Sequence, residues 1–395
     1  MSTSDNNSPQ RPWIPLAVPV IAGNEWAYVK ECLDTNWISS VGPFVDRFEK
    51  LAAEVSGAQY AVATVNGTAA LHVALLVTGV RPDDEVIVSD LTFIAAANAV
   101  RHANAWPVFV DVEPDYWQLD PQKLADFCRK ECEWTSDGLR NRSTGRIVRA
   151  ILPVHVLGHP VDMDSIVEIA DRYGLFVVAD AAEALGAGYK SRPIGAIAPV
   201  SCLSFNGNKV VTSGGGGMIV TDSERLARKA RYLTTQAKDD PSEYIHCEVG
   251  YNYRLTNVLA ALGCAQIERL EEHVAAKRHT AAFYRQALSE IDGISGMTEA
   301  PWAQSSFWLY TILVDPEKCR EDCRSLMRHM KAARIECRPL WQPMHLSPAH
   351  AGSYSYRTDV SERLYHQALS LPSSVAITPD ELKTVSDEIR AFVSR

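Results

Sequence analysis

Lys209 lies between the apolar run Leu203-Ser204-Phe205 and a loop of four glycines, Gly214 to Gly217, that feeds Met218-Ile219-Val220. Short β-like runs on both sides of a loop without side chains favour a lysine held in a pocket over one on a solvated helix. Burial disfavours the ammonium, and the free amine left behind condenses with aldehydes, which makes pyridoxal phosphate the first cofactor to consider. A surface lysine beside a glycine-rich turn has the same local pattern, so other stretches must decide.

Phe176-Val177-Val178-Ala179-Asp180 is an apolar run ending in an acid, as strands of open α/β sheets do at the carboxyl edge where ligands gather. A carboxylate there can keep a pyridinium nitrogen protonated, and the cofactor draws electrons only while it keeps that proton. Asp180 read alone is equally a helix N-cap. Glu183 follows one helical turn later and faces the same side. Upstream, the run 61–64 leads through Val65-Asn66-Gly67-Thr68 into a helical pattern. The N–H groups of Gly67 and Thr68, with the Thr68 hydroxyl, would meet an anion where the helix dipole favours one. A plain N-cap is the other reading. No Gly-Lys-Ser/Thr follows, so this is not a Walker loop.

Positioning these groups takes a sheet. Short apolar runs at 61–64, 85–88, 107–112, 150–154, 176–180 and 202–205 alternate with helical stretches at 67–80, 95–103, 120–132 and 163–173, the pattern of a mainly parallel sheet covered on both faces. Helices are expected before it at 24–34 and 44–55, an exposed loop at 134–146 and a packing helix at 258–271. Beyond about residue 277 come a long helix, a strand at 306–314 and a helix at 321–333, a smaller α+β unit.

The chain has 395 residues, 46% of them hydrophobic, enough for a large core and two domains. A formal charge of -9 argues against nucleic acid or a membrane surface as partner. Residues 1–10 are polar, and no stretch approaches the ~18 apolar residues of a membrane span, so a cytoplasmic location is expected. Nine scattered cysteines read as reduced, mostly buried thiols, and without paired CxxC or histidine clusters no metal site is expected.

Together NGTAALH, TFIAAANAV, VVADAAEALGA, SFNGNK and GYNYRLTN, in this order, resemble the sugar-nucleotide aminotransferases of the DegT/StrS type, from about residue 14 to the C-terminal end. The resemblance implies an α/β fold of the fold-type I class of pyridoxal phosphate-dependent transferases. A tail at 1–12 would precede a large domain at 13–276 with a mainly parallel seven-stranded sheet, and a smaller α+β domain would fill 277–395. Lys209 would anchor pyridoxal 5'-phosphate and move protons, Asp180 would hold the ring nitrogen, Phe93 would stack on the ring, and Gly67, Thr68 and Ser204 would hold the phosphate. Asn252 would reach the phosphate of the neighbouring subunit, making a homodimer with shared sites.

Glu183 stands where many relatives carry Gln, which leaves open whether it bonds the cofactor's phenolic oxygen or a neighbouring hydroxyl. Trp37, Ser39 and Ser40 would sit at the substrate mouth. Arg338, Trp341 and His345 resemble a segment that closes over the sugar nucleotide, although Arg338 paired with a surface acid would look the same in sequence. His155 is a core histidine or a substrate contact. WISSVGPFVDRFE, PVHVLGHPVDMD and TTQAKDD resemble the branch acting on UDP-linked 4-keto-6-deoxy sugars, with GDP-perosamine synthases as close relatives. The expected reaction moves an amino group from an amino acid, glutamate by this likeness, to C4 of a UDP-4-keto-6-deoxy-N-acetylhexosamine, in amino-sugar and surface-polysaccharide biosynthesis. A GDP-perosamine-type 4-aminotransferase is the alternative. Dehydratase relatives replace the anchoring lysine by histidine, so Lys209 speaks against that activity. A non-catalytic cofactor-binding protein on the same fold is the alternative of another class.

Overall fold

The computed structural model describes residues 11–240 and 242–394. The tail expected over 1–12 lies, for residues 1–10, outside the described residues. Ordered contacts begin at once: Arg11 pairs with Glu388, and the buried Ile14 bridges to Ile335.

Eight strands form the main sheet, in the spatial order Tyr60–Thr64, Gly217–Thr221, Val200–Ser204, Phe176–Asp180, Val148–Leu152, Glu85–Ser89, Trp106–Val110, Tyr354–Tyr356. All pairs from Val200–Ser204 outward are parallel, while Gly217–Thr221 runs antiparallel to both its neighbours. Glu85–Ser89 and Gly217–Thr221 are buried at every position, as strands covered by helices on both faces must be. This is the mainly parallel sheet expected, with one strand more than seven. The eighth, Tyr354-Ser355-Tyr356, is three residues long, too short to show a period, and it comes from the region assigned to the smaller domain.

Helices Pro43–Ser56, Gly67–Val77, Ala95–His102 and Met163–Tyr173 fall where the apolar spacing put them. The expected loop at 134–146 is instead largely a hairpin, Cys132–Thr135 against Gly138–Asn141. Its strands are short and polar, so neither length nor alternation announced them. The packing helix expected at 258–271 ends at Ile267, and a second helix, Leu270–Leu288, runs unbroken through the expected division at 276/277. A second, antiparallel sheet follows, ordered Ile294–Gly296, Tyr310–Val314, Ala368–Leu371, Arg338–Pro339. The expected strand at 306–314 begins only at Tyr310, because Phe307 has φ +47° and breaks the extended run.

Two residues of GYNYRLTN act as tethers. Arg254 donates to Glu49 and to the Ala63 carbonyl, stitching the end of Tyr60–Thr64 to the preceding helix. Asn257 offers its side-chain oxygen to the N–H groups of Phe44 and Val45 at 2.9 and 3.2 Å, so a residue far along the chain caps the helix Pro43–Ser56. Eight of the nine cysteines are buried free thiols, Cys247 being exposed.

Candidate active site

The carboxyl edge of the sheet brings the sequence-singled groups to one cleft of about 240 Å³. Gly67, Thr68, Phe93, Asp180, Glu183, Ser204, Lys209 and Trp341 all line it. Asn66 caps the helix Gly67–Val77 by accepting the Ala69 N–H at 2.8 Å, which leaves the first helical turn facing the cleft. Glycine is required where the strand Gly217–Thr221 begins, since a Cβ on Gly217 would fall 2.4 Å from the Asn66 carbonyl oxygen. That close approach draws the glycine loop after Lys209 against the turn at Gly67.

Asp180 ends its strand with 6% exposure, and one of its carboxylate oxygens accepts the Ala182 N–H at 3.0 Å. Burial pushes its carboxyl up to about 6; the Glu183 charge adds to this, and the Ala182 N–H and the Lys209 charge oppose it. Glu183 is as deeply buried, and burial raises it too against the pull of Lys209. Its Oε1 lies 3.3 Å from Lys209 Nζ. Phe93 is half exposed and meets the edge of Trp341 at 6.3 Å.

The residue that sequence reasoning missed is Trp308. Its ring lies 3.9 Å from Lys209 Nζ, its Nε1–H donates to the Asn208 carbonyl at 2.6 Å, and it stacks beside Trp341 at 6.4 Å. It arrives on the irregular segment before the strand Tyr310–Val314. The one available signal was the aromatic-rich run FWLY, which read as strand packing.

Other expected site residues lie elsewhere. His345 donates no group to the cleft: its two ring nitrogens pair with Asp90 at 2.8 Å and Glu362 at 3.1 Å, locking the segment after the second sheet onto the main one. Arg338 is exposed and pairs with Glu336 at 2.8 Å, lining a neighbouring cavity on the far side of Trp308 and Trp341. Trp37, Ser39 and Ser40 sit at the start of the helix Asn257–Ile267, where the Trp37 and Ser39 carbonyls accept from Asn257. Asn252 is exposed in a bridge to Thr235, away from this chain's own cleft. His155 is a core residue: Nδ1 accepts the Val161 N–H, and burial chiefly holds the ring neutral, down to about 3.

A lysine and a strand-end aspartate facing one cleft over a mainly parallel sheet, with a helix N-terminus between them, is the layout of a fold-type I transferase. The chain belongs to the DegT/DnrJ/EryC1/StrS aminotransferase family, whose model matches residues 19–390. It is 40% identical over 375 residues to the GDP-perosamine synthase of Caulobacter vibrioides, covering 95% of this chain and 96% of that one. The GDP-perosamine synthase of Escherichia coli O157:H7 is 36% identical, with 97% and 99% covered. Among solved structures, DesV of S. venezuelae superposes with a TM-score of 0.85 at 32% identity, over 94% of this chain and 95% of that one. The protein is a pyridoxal phosphate-dependent sugar-nucleotide aminotransferase.

The cleft fits that cofactor. Asp180 is a deeply buried acid with only one oxygen bonded to a protein donor among the described residues, as a partner for a ring N–H requires. A primary amine lies nearby, and a helix N-terminus with two hydroxyls suits a phosphate. Among the described residues no helix is long and apolar enough to cross a membrane.

Proposed function

We infer that this aminotransferase moves an amino group from an amino acid, glutamate by family likeness, to C4 of a nucleotide-linked 4-keto-6-deoxy sugar. The observation that carries the chemistry is the convergence of Lys209, Asp180 and the Gly67–Thr68 turn on one cleft. Bound pyridoxal phosphate supplies an aldehyde that accepts the amino group and a ring that takes up electrons. Asp180 holds the proton on the ring nitrogen, for which a carboxyl near 6 is suited when a cation sits against it. Phe93 would cover one ring face, and Gly67, Thr68 and Ser204 would hold the phosphate. Lys209 Nζ removes the proton from Cα of the donor amino acid and, in the second half of the cycle, delivers one to C4 of the sugar.

For the sugar, the names of the relatives support the GDP-linked substrate of a perosamine-type 4-aminotransferase. The UDP-linked N-acetylhexosamine rests on short sequence segments alone. The working unit is a homodimer with shared sites, a reading supported by the position of Asn252 outside its own chain's cleft. We place the enzyme in the cytoplasm, where nucleotide sugars are made. We also assign Trp37, Ser39 and Ser40 to the mouth of the neighbouring subunit's site. Incubation with glutamate and a panel of GDP-, UDP- and dTDP-linked 4-keto-6-deoxy sugars, scored for amino sugar by mass and NMR, tests the reading. Product from the GDP-linked sugar is expected; no product from any of them contradicts it.

A further inference from the structure

Glu183 is the acid whose role the sequence left open, and the cleft gives it defined partners. Its Oε2 accepts the Leu157 N–H at 2.8 Å while Oε1 faces Lys209 Nζ at 3.3 Å. Leu157 holds φ +59°, a left-handed conformation uncommon for a residue with a Cβ. Its carbonyl accepts the Trp308 N–H at 3.1 Å, so one residue ties down both the carboxylate and the indole that flank the amine. Trp308 is held again by its Nε1–H on the Asn208 carbonyl and by Lys277, whose buried Nζ donates to the Trp308 carbonyl at 3.0 Å. Because Asn208 precedes Lys209, the contacts close into a ring: Lys209, Glu183, Leu157, Trp308, Asn208.

Both walls favour a cation. A carboxylate and the face of an indole each attract an ammonium and give little to a neutral amine. The surroundings are dry enough for this to count, with the Lys209 side chain 13% exposed and that of Glu183 6%. The geometry points to a resting cradle: in the cofactor-free protein, and beside pyridoxamine phosphate before a substrate binds, Glu183 and Trp308 hold Lys209 as its ammonium, and the lysine must leave them and give up its proton to bond or to act as a base. This rests on the cofactor assignment and not on the choice of sugar.

The energetic consequence is one-sided. To bond the aldehyde of pyridoxal phosphate, the ammonium would release one proton to solvent, its nitrogen would attach to the aldehyde carbon, and the aldehyde oxygen would leave as water with the nitrogen's other two hydrogens. Bonding therefore empties the cradle. Pyridoxamine phosphate already carries its own amine, so its binding leaves Lys209 where it rests. Whatever the cradle contributes is a cost on uptake of the aldehyde form alone.

The test titrates the whole chain, stripped of cofactor, with pyridoxal phosphate and with pyridoxamine phosphate, comparing wild type, Glu183→Gln, Lys209→Ala and the double variant. Gln keeps the acceptor for Leu157 and the shape but removes the charge. Glu183→Gln should bind pyridoxal phosphate roughly tenfold more tightly, the size expected of an opposite charge at this range. Its affinity for pyridoxamine phosphate should not change. In the Lys209→Ala background the same substitution should alter neither affinity, since nothing rests in the cradle. Parallel weakening of both forms by Glu183→Gln would make Glu183 a direct cofactor contact or a packing support and overturn the cradle. An effect that persists without the lysine would overturn it as well. Uptake of neither form by the wild type overturns it together with the cofactor reading beneath it.

Discussion

At the scale of single residues, the proposed chemistry is concentrated in two side chains. On the proposed reading Lys209→Ala would remove both the cofactor's anchor and the proton carrier, so kcat/KM should fall by several orders of magnitude while the thermal midpoint stays near wild type. Near-normal turnover would reassign the lysine. Asp180→Asn keeps the size and the Ala182 hydrogen bond but cannot retain the ring-nitrogen proton. A loss on the order of 10²-fold or more in the half-reaction with glutamate is expected, measured by stopped-flow absorbance. An unchanged rate would leave Asp180 as a helix cap. Both residues were legible in sequence because their signals are local: an apolar run ending in an acid, and a lysine between β-like runs and glycines. Trp308 was not, because it reaches the Lys209 loop from 100 residues further along the chain. Nothing near Trp308 in sequence records that contact.

At the scale of elements, long-range tethers decide what the sequence could not. His345 looked like a substrate residue in a closing segment, but its partner Asp90 lies 255 residues earlier and is fully buried. Its hydrogen bond to Asp90 is the main cause, followed by the charges of Asp90 and Glu362, of an imidazole that keeps its proton above the ordinary 6.5 despite burial. A raised folded value means the stabilisation is fully present below about pH 6.5 and is lost as pH rises through the folded value. His345→Gln should therefore cost about 1–2 kcal/mol at pH 6, and the gap from wild type should narrow as pH rises. Denaturant unfolding at several pH values measures it, and a gap that widens with pH would contradict the pairing. Asn257 is a second such tether, and Asn257→Ala should cost about 1–2 kcal/mol by uncapping Pro43–Ser56. Calorimetry showing no loss would mean the helix is held by packing alone. The eighth strand and the hairpin at 132–141 escaped sequence reading for a related reason: strands of three or four residues carry no period, and their partners supply the order.

At the scale of the whole molecule, a chain of net charge -9 must bind a dianionic phosphate and an anionic nucleotide sugar. Gly67, Thr68 and Ser204 line the cleft of one chain and, on the proposed reading, would supply part of the phosphate site. Asn252, exposed and not among the residues lining that cleft, would complete the partner's site. Mixing Lys209→Ala with Asn252→Asp, each inactive alone, should restore activity once hybrid dimers form, because one site of each hybrid then carries both lesions and the other neither. Proven hybrids without activity would contradict the shared site while leaving the role of Lys209 intact. The central claim, that one lysine-bearing cleft carries an amino group from donor to nucleotide sugar, is tested most directly by running the two halves separately on the cofactor-loaded protein. Glutamate alone should bleach the visible absorbance of the lysine-bound cofactor, and a GDP-linked 4-keto-6-deoxy sugar added after removal of glutamate should restore it with one amino sugar formed per site. Bleaching without restoration by any nucleotide-linked 4-keto sugar, or no bleaching at all, would contradict the account.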